Sequence, residues 1–233
     1  MTSRSLLRFF SLAAALCLST VILWSADRKP RPVKKAPGFR GRVVFAGKIP
    51  PARVLPMGSD PICLKQHPKG FIFQPFAVGK TGGLADVFVY VKKGLEGKNF
   101  ETPKEAAVLD QKGCWYYPRV IGAMVGQRVE LLNSDPTIHN VNALPEFNVS
   151  MPPGLKKIEK TFVKPAVMQK LKCNVHPWMT AYVGVLEHPF YAVTDLDGAY
   201  EIRGLPPGKY VLEAWHERLG VLTRAVTVDG GVV

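Results

Sequence analysis

The stretch KCNVHPWM, residues 172–179, sets a thiol, an imidazole and a thioether at three-residue intervals: Cys173, His176 and Met179. A second imidazole, His139, opens HNVN directly after NSDPTI, 34 residues before Cys173. One thiolate, two imidazoles and a thioether are soft and borderline donors, a set that suits a copper ion in both of its common oxidation states. Zinc could take the same cysteine and two histidines with a water, but it rarely accepts a thioether, so Met179 favours copper. The loop has a single cysteine, which excludes a dinuclear copper centre.

Such donors converge only if strands deliver them. Gly and Pro are frequent, at 21 and 20 of 233 residues, and helix-period apolar segments are scarce, the pattern of an all-β chain rich in turns. Alternating runs predict strands at 41–47, 85–94, 106–111, within 116–135 with a turn near Gly126, and at 139–144, 158–163, 168–173 and 182–188. Residues 50–82 read as a long irregular segment around Cys63, and EFNVSMPPGLKK reads as a loop. His139 then starts one strand, while the cysteine loop joins two others.

At this point the chain resembles the cupredoxins, the type 1 blue copper proteins of the amicyanin and plastocyanin kind. The resemblance is carried by HNV at 139–141 and by CNVHPWM at 173–179, with Pro177 following the histidine, and it spans residues 105–189. It implies a Greek-key sandwich of eight strands holding one type 1 copper. Cys173, His139 and His176 would be the close ligands and Met179 the weak axial one. It further implies that Asn140, with Asn174 and Pro177, ties the first ligand strand to the cysteine loop. His176 is expected to be the exposed ligand, with Pro177 and Trp178 around it as the docking patch of a redox partner. That partner is expected to be a c-type cytochrome or a membrane redox enzyme, and the expected function is single-electron transfer, not catalysis. The alternative is a cell-surface binding or structural module whose site captures copper or holds zinc.

The texture changes after His188. Residues 190–233 contain TDLDGAY (194–200) and LPPGKY (205–210), which are similar to the regulatory-like β-sandwich module of carboxypeptidases, an immunoglobulin- or transthyretin-like fold. Asp-Gly and Pro-Gly are turn formers there, and no catalysis follows from them. Residues 41–104 supply strands that can complete the same sandwich, with the copper domain inserted between. Asp195 and Asp197 read as turn-capping carboxylates, not as a calcium loop. His216 and Glu217 read as a surface pair at a strand end, with a second metal or partner site as the alternative.

The net charge of +13 looks like a nucleic-acid signal until it is located: residues 1–42 hold nine Arg or Lys against one Asp. No basic patch interleaved with aromatics follows, so nucleic acid is not an expected partner. Arg4 and Arg8 precede an apolar run from Phe9 to Trp24, the pattern of a secretory signal over 1–26. Trp24 sits where the cleavage site wants a small residue, so an uncleaved anchor is the alternative, and the basic linker 27–40 could hold the chain near anionic lipid. Leu16 before Cys17 is too large for a lipoprotein site. Either outcome gives an exported, periplasmic or extracytoplasmic protein. There, Cys63, Cys114 and Cys173 are an odd set. The simplest arrangement pairs Cys63 with Cys114 and leaves Cys173 for metal. The alternative pairs Cys173 with one of the others.

Overall fold

A computed structural model describes residues 37–229. The secretory or anchor segment, most of the basic linker and Cys17 lie outside the described residues. Among those described, no helix is long and apolar enough to cross a membrane.

The described residues are all-β apart from one short helix. Their N-terminal part gives β1 (Gly38–Arg42), β2 (Arg53–Leu55), α1 (Pro61–Gln66), β3 (Phe71–Phe73) and β4 (Phe88–Lys93). The middle part gives β5 (Ala107–Gln111), β6 (Tyr116–Tyr117), β7 (Val120–Met124), β8 (Arg128–Asn133), β9 (His139–Ala143), β10 (Phe147–Met151), β11 (Lys157–Thr161), β12 (Ala166–Lys172) and β13 (Thr180–Leu186). The C-terminal part gives β14 (Tyr191–Val193), β15 (Ala199–Arg203), β16 (Gly208–His216) and β17 (Gly220–Val228).

The middle strands form two sheets, ordered β10-β9-β12-β13-β7 and β11-β8-β5-β6. Neighbours that are not consecutive in sequence, such as β9 beside β12, mark the crossovers of a Greek key. Each strand points alternate side chains inward. Leu109, Val129 and Leu131 from one sheet meet Val141, Leu171 and Val183 from the other in one fully buried core. The sandwich holds nine strands. Relative to the sequence reading, which has two strands within 116–135, β6 is a third one there, and β10 lies in a stretch that reads as loop. Its inward face, Phe147, Val149 and Met151, alternates over only three positions before MPPG breaks the pattern, and hairpin pairing with β9 overrides the turn signals.

The second, smaller body joins residues from both ends. β4 lies between β14 and β16, with β17 outside, and β1 pairs with β15. Val87, Val89 and Val91 face this body's own core with Leu212 and Ile202. Phe88 and Tyr90, on the opposite face of β4, pack against Val120 and Leu186 of the first sandwich. β4 is therefore apolar on both faces, as a strand covered on both sides must be.

The two bodies approach closely at paired glycines. Gly122 on β7 is the register partner of Gly184 on β13. A Cβ on Gly184 would lie 2.3 Å from the Phe88 ring, and one on Gly122 would lie 2.1 Å from the Tyr191 ring. Phe88 and Tyr191 stack on each other with centroids 5.4 Å apart and together cover this bare patch of sheet.

Candidate metal centre

His139 is the first residue of β9, Cys173 directly follows β12, and Met179 directly precedes β13. Because β9 and β12 are hydrogen-bonded neighbours, both donors emerge at the same end of the sandwich. The intervening loop is closed by its own backbone. Met179 N–H donates to the His176 carbonyl at 2.9 Å, and Cys173 N–H donates to the Met179 carbonyl at 3.3 Å. His176 N–H donates to Cys173 Sγ at 3.3 Å. Asn140 ties the two stretches together: its Oδ1 accepts from Asn174 N–H at 3.1 Å, and its Nδ2 donates to the Val149 carbonyl at 2.9 Å. The Asn174 side chain accepts from Asn142 at 3.0 Å. The Tyr116 hydroxyl donates to the Asn140 carbonyl from inside the core.

The donors meet. His139 Nδ1 and His176 Nδ1 lie 3.0 Å apart, and Cys173 Sγ lies 3.8 Å from His176 Nδ1. The three ligand atoms of His139, Cys173 and His176 fall within 4.8 Å of one another, a group that can hold a metal ion. Met179 is fully buried in the core that also contains Cys173.

Two carboxylates stand behind the imidazoles. Asp135 Oδ2 accepts from His139 Nε2 at 2.9 Å, and Asp60 Oδ2 faces His176 Nε2 at 3.1 Å. A carboxylate on Nε2 holds the proton there and leaves the Nδ1 lone pair for a metal. Both carboxylates are themselves fixed. Asp135 accepts from the N–H groups of Gly113 and Cys114 at 2.9 and 2.8 Å. Those two residues carry positive φ of 67° and 54°, which turns successive N–H groups toward one anion. Asp60 uses its other oxygen to cap α1, accepting from Ile62 and Cys63 N–H at 2.7 and 3.1 Å, while Thr137 donates to Oδ2 at 2.7 Å.

The charges are poised for a cation. Burial disfavours the Cys173 thiolate, but hydrogen bonds from His139, His176 and the backbone outweigh it and bring the thiol down to about 6. Burial likewise disfavours the imidazolium of His139, yet Asp135 and Cys173 raise it to about 9. Asp135 is held at about 2 despite its burial, chiefly by His139 and the two N–H groups. Two carboxylates and a thiolate thus surround a pair of imidazole nitrogens that face each other, an arrangement that fits a soft or borderline metal cation.

The structure corrects the expectation that His176 is the exposed ligand. Only 1% of it is accessible. Residues 53–73 fold over it as a cap, which the sequence reading left irregular. β2 and β3 pair, α1 lies between them, and Phe71 stacks on Trp115 at 4.5 Å. A disulfide between Cys63 and Cys114 anchors the cap, leaving Cys173 as the free cysteine among the described residues. Cys63 Sγ lies 3.7 Å from His176 Nε2. Two further clusters, Asp60–Cys63–His176 and Cys114–Asp135–His139, are equally tight. The disulfide consumes both of their sulfurs, so neither can offer a thiolate. Pro177 remains exposed. Trp178 is half-buried, with its ring 5.1 Å from His176 and its Nε1–H on the Cys114 carbonyl at 3.1 Å.

Asp60 and Asp135 were not among the residues picked out in the sequence. Each sits in a Ser-Asp-Pro tripeptide, 59–61 and 134–136, the one signal that could have flagged them. Asp-Pro at 60–61 is also the N-cap and first-turn proline of α1.

The remaining candidates resolve as structure. His67 Nε2–H donates to the Gly113 carbonyl at 2.8 Å, and its neighbour Cys63 is held in the disulfide. Asp195 caps its own turn, accepting from Asp197 and Ala199 N–H at 2.9 Å each. His216 is buried and stacks on Phe76 at 5.4 Å, so it is not part of a surface pair. Glu217 holds Arg119 through both carboxylate oxygens at 2.8 Å.

No family model matches the chain, and no curated protein matches its sequence. Solved structures do. A copper-containing nitrite reductase from Thermus scotoductus aligns at 24% identity and TM-score 0.32, over 41% of this chain and 25% of that one. The chain thus spans about a quarter of the nitrite reductase. An amicyanin mutant in its oxidised state aligns at 25% identity and TM-score 0.31, over 36% of this chain and 86% of that one. A purple cupredoxin from Nitrosopumilus maritimus aligns at 23% identity and TM-score 0.31, over 34% of this chain and 98% of that one. With scores of this size, what the chain does is read from its own residues.

Proposed function

We propose that this protein is an exported carrier of single electrons built on one type 1 copper. The observation that carries the reading is the convergence of His139 Nδ1 and His176 Nδ1, 3.0 Å apart, beside a buried Cys173 whose thiol is brought down to about 6. Cys173, His139 and His176 would hold the metal, with Met179 as the weak thioether ligand. The bound copper would supply reversible one-electron exchange. The protein's part is to hold the donors still: Asp60 and Asp135 orient the imidazoles, Asn140 locks the loop to β9, and the core excludes water. Rigid donors that move little between oxidation states keep the reorganisation cost low.

The disulfide between Cys63 and Cys114 supports an oxidising, extracytoplasmic compartment. A c-type cytochrome or membrane redox enzyme is the partner class in keeping with that location. The smaller sandwich with TDLDGAY and LPPGKY serves as scaffold, like the regulatory-like modules it resembles.

A second reading, copper capture, draws on one observation: the cap encloses His176, which favours retention of a metal. Cyclic voltammetry of the copper-loaded full chain separates the two. An electron carrier gives a reversible one-electron wave that Met179→Leu shifts without removing the colour. A capture site gives no reversible wave.

A further inference from the structure

The cap blocks the His176 edge, so electrons need another way out, and the side chains around Trp178 offer one. Trp178 touches His176 on one side. On the other it lines an open cleft of about 490 Å³, together with Trp115, Phe73 and Tyr182. The rim of the cleft is cationic. Arg53, Lys170 and Arg218 line it and enter no ion pair among the described residues. The one lining carboxylate, Glu217, is taken up by Arg119, whose guanidinium lies over Phe73 and Trp115 at 5.1 and 5.4 Å.

Other clefts carry cations too, but they are remote from this route. Arg40 and Arg42 line one with Tyr200, and Lys93 and Lys209 line another with Tyr210. Neither contains a residue that touches a metal-site histidine. Of these clefts, the one beside Trp178 joins exposed positive charge, aromatic surface and a side chain in contact with His176.

We infer that the basic, aromatic cleft beside Trp178 is the docking face for an acidic redox protein. The inference rests on the electron-carrier reading. Acidic side chains of the partner would meet Arg53, Lys170 and Arg218, and opposite charge would steer the encounter. The partner's redox centre would then exchange one electron with the copper through Trp178: the donor loses it, Cu(II) becomes Cu(I), and no proton or bond need change.

Two measurements test this. The first needs no metal: hexacyanochromate(III), a paramagnetic and redox-inert anion, is titrated into the metal-free full chain while amide and indole NMR signals are followed. The expected result is early broadening at Trp115, Arg119, Lys170 and Trp178. Broadening centred on the Arg40 or Lys209 clefts would overturn the inference. The second uses copper-loaded protein showing its thiolate band, with iron(II)–EDTA as an anionic reductant and hexaammineruthenium(II) as a cationic one. The Arg53→Glu/Lys170→Glu/Arg218→Glu variant should slow the anion about tenfold at low salt and speed the cation. The control Arg40→Glu/Lys93→Glu/Lys209→Glu, with the same change in net charge, should do so far less. Equal effects from both variants, with the band intact, would overturn the docking face and leave the copper reading standing. Absence of the band in the parent protein would overturn the copper reading itself.

Discussion

Asp60 and His176 lie 116 residues apart in sequence, and their side chains meet at 3.1 Å inside the protein. One carboxylate thereby does two jobs: it caps α1 and fixes the ring of a metal-binding histidine. The cap and the site are mechanically one unit, so a change at Asp60 must register in both stability and metal binding.

The two roles can be separated. Asp60→Ala removes the cap and the histidine partner together and is expected to cost about 1–2 kcal/mol of stability. Asp60→Asn keeps the capping oxygen and should retain most of that stability. Both should weaken metal binding by about 10–100-fold, because the imidazole loses its orienting anion. Thermal melts and competitive titration against a chelator read the two effects. Unchanged affinity in Asp60→Asn would remove Asp60 from the metal site.

Reading the sequence located the stretches whose chemistry is local. HNV and CNVHPWM are short, their spacing is visible, and a strand neighbour is enough to unite them. Among the described residues, Cys173 is left as the free cysteine once Cys63 and Cys114 pair. What lay beyond reach depends on long-range packing. Nothing in Cys63–His67 announces that α1 will lie on His176, more than 100 residues later, or that Asp60 rather than water will meet the ring. The burial of His216 escaped for the same reason, since Phe76 comes from an irregular segment with no readable period. β10 escaped because three alternating residues are too few to outweigh the following Pro-Pro-Gly.

The disulfide is the cap's anchor. It joins residues separated by 51 positions, and replacing both Cys63 and Cys114 with Ser should cost about 2–5 kcal/mol. The same variant should lose metal to a chelator faster than the parent, because His176 is no longer enclosed. Identical release rates would show that the cap does not control access.

At the junction of the two sandwiches, Gly184→Val forces a side chain into Phe88, whose ring a Cβ would approach to 2.3 Å. A loss of about 1–3 kcal/mol is expected, as for overpacked cores. Combining it with Phe88→Leu should recover part of the loss if the ring is what the valine strikes. Denaturant unfolding of the two variants checks this.

In the metal-free protein the pH dependence has a definite sign. The Asp135 carboxyl is lowered from 3.8 to about 2, so its contribution is complete above about pH 4 and is lost as pH falls through 2. His139 is raised from 6.5 to about 9, so its contribution is complete below 6.5 and is lost as pH rises through 9. Cys173 is lowered from 9.0 to about 6, so its contribution grows between those values and is lost as pH falls through 6. Between pH 6.5 and 9 the last two cancel: folding moves a proton from thiol to imidazole without net uptake. Stability of the metal-free parent should therefore be flat across that window, while Cys173→Ser, with His139 still held by Asp135, should decline through it. Urea melts at several pH values measure both, and parallel curves would contradict the thiolate–imidazolium pair.

The central claim is that Cys173 binds copper as a thiolate beside two imidazoles, and one spectrum tests it most directly. The full-length protein receives one equivalent of Cu(II), and its visible absorption and electron paramagnetic resonance are recorded beside those of Cys173→Ser. The account predicts an intense blue or green band with narrow copper hyperfine splitting in the parent and neither in the variant. A colourless parent, or a band that survives Cys173→Ser, would contradict it.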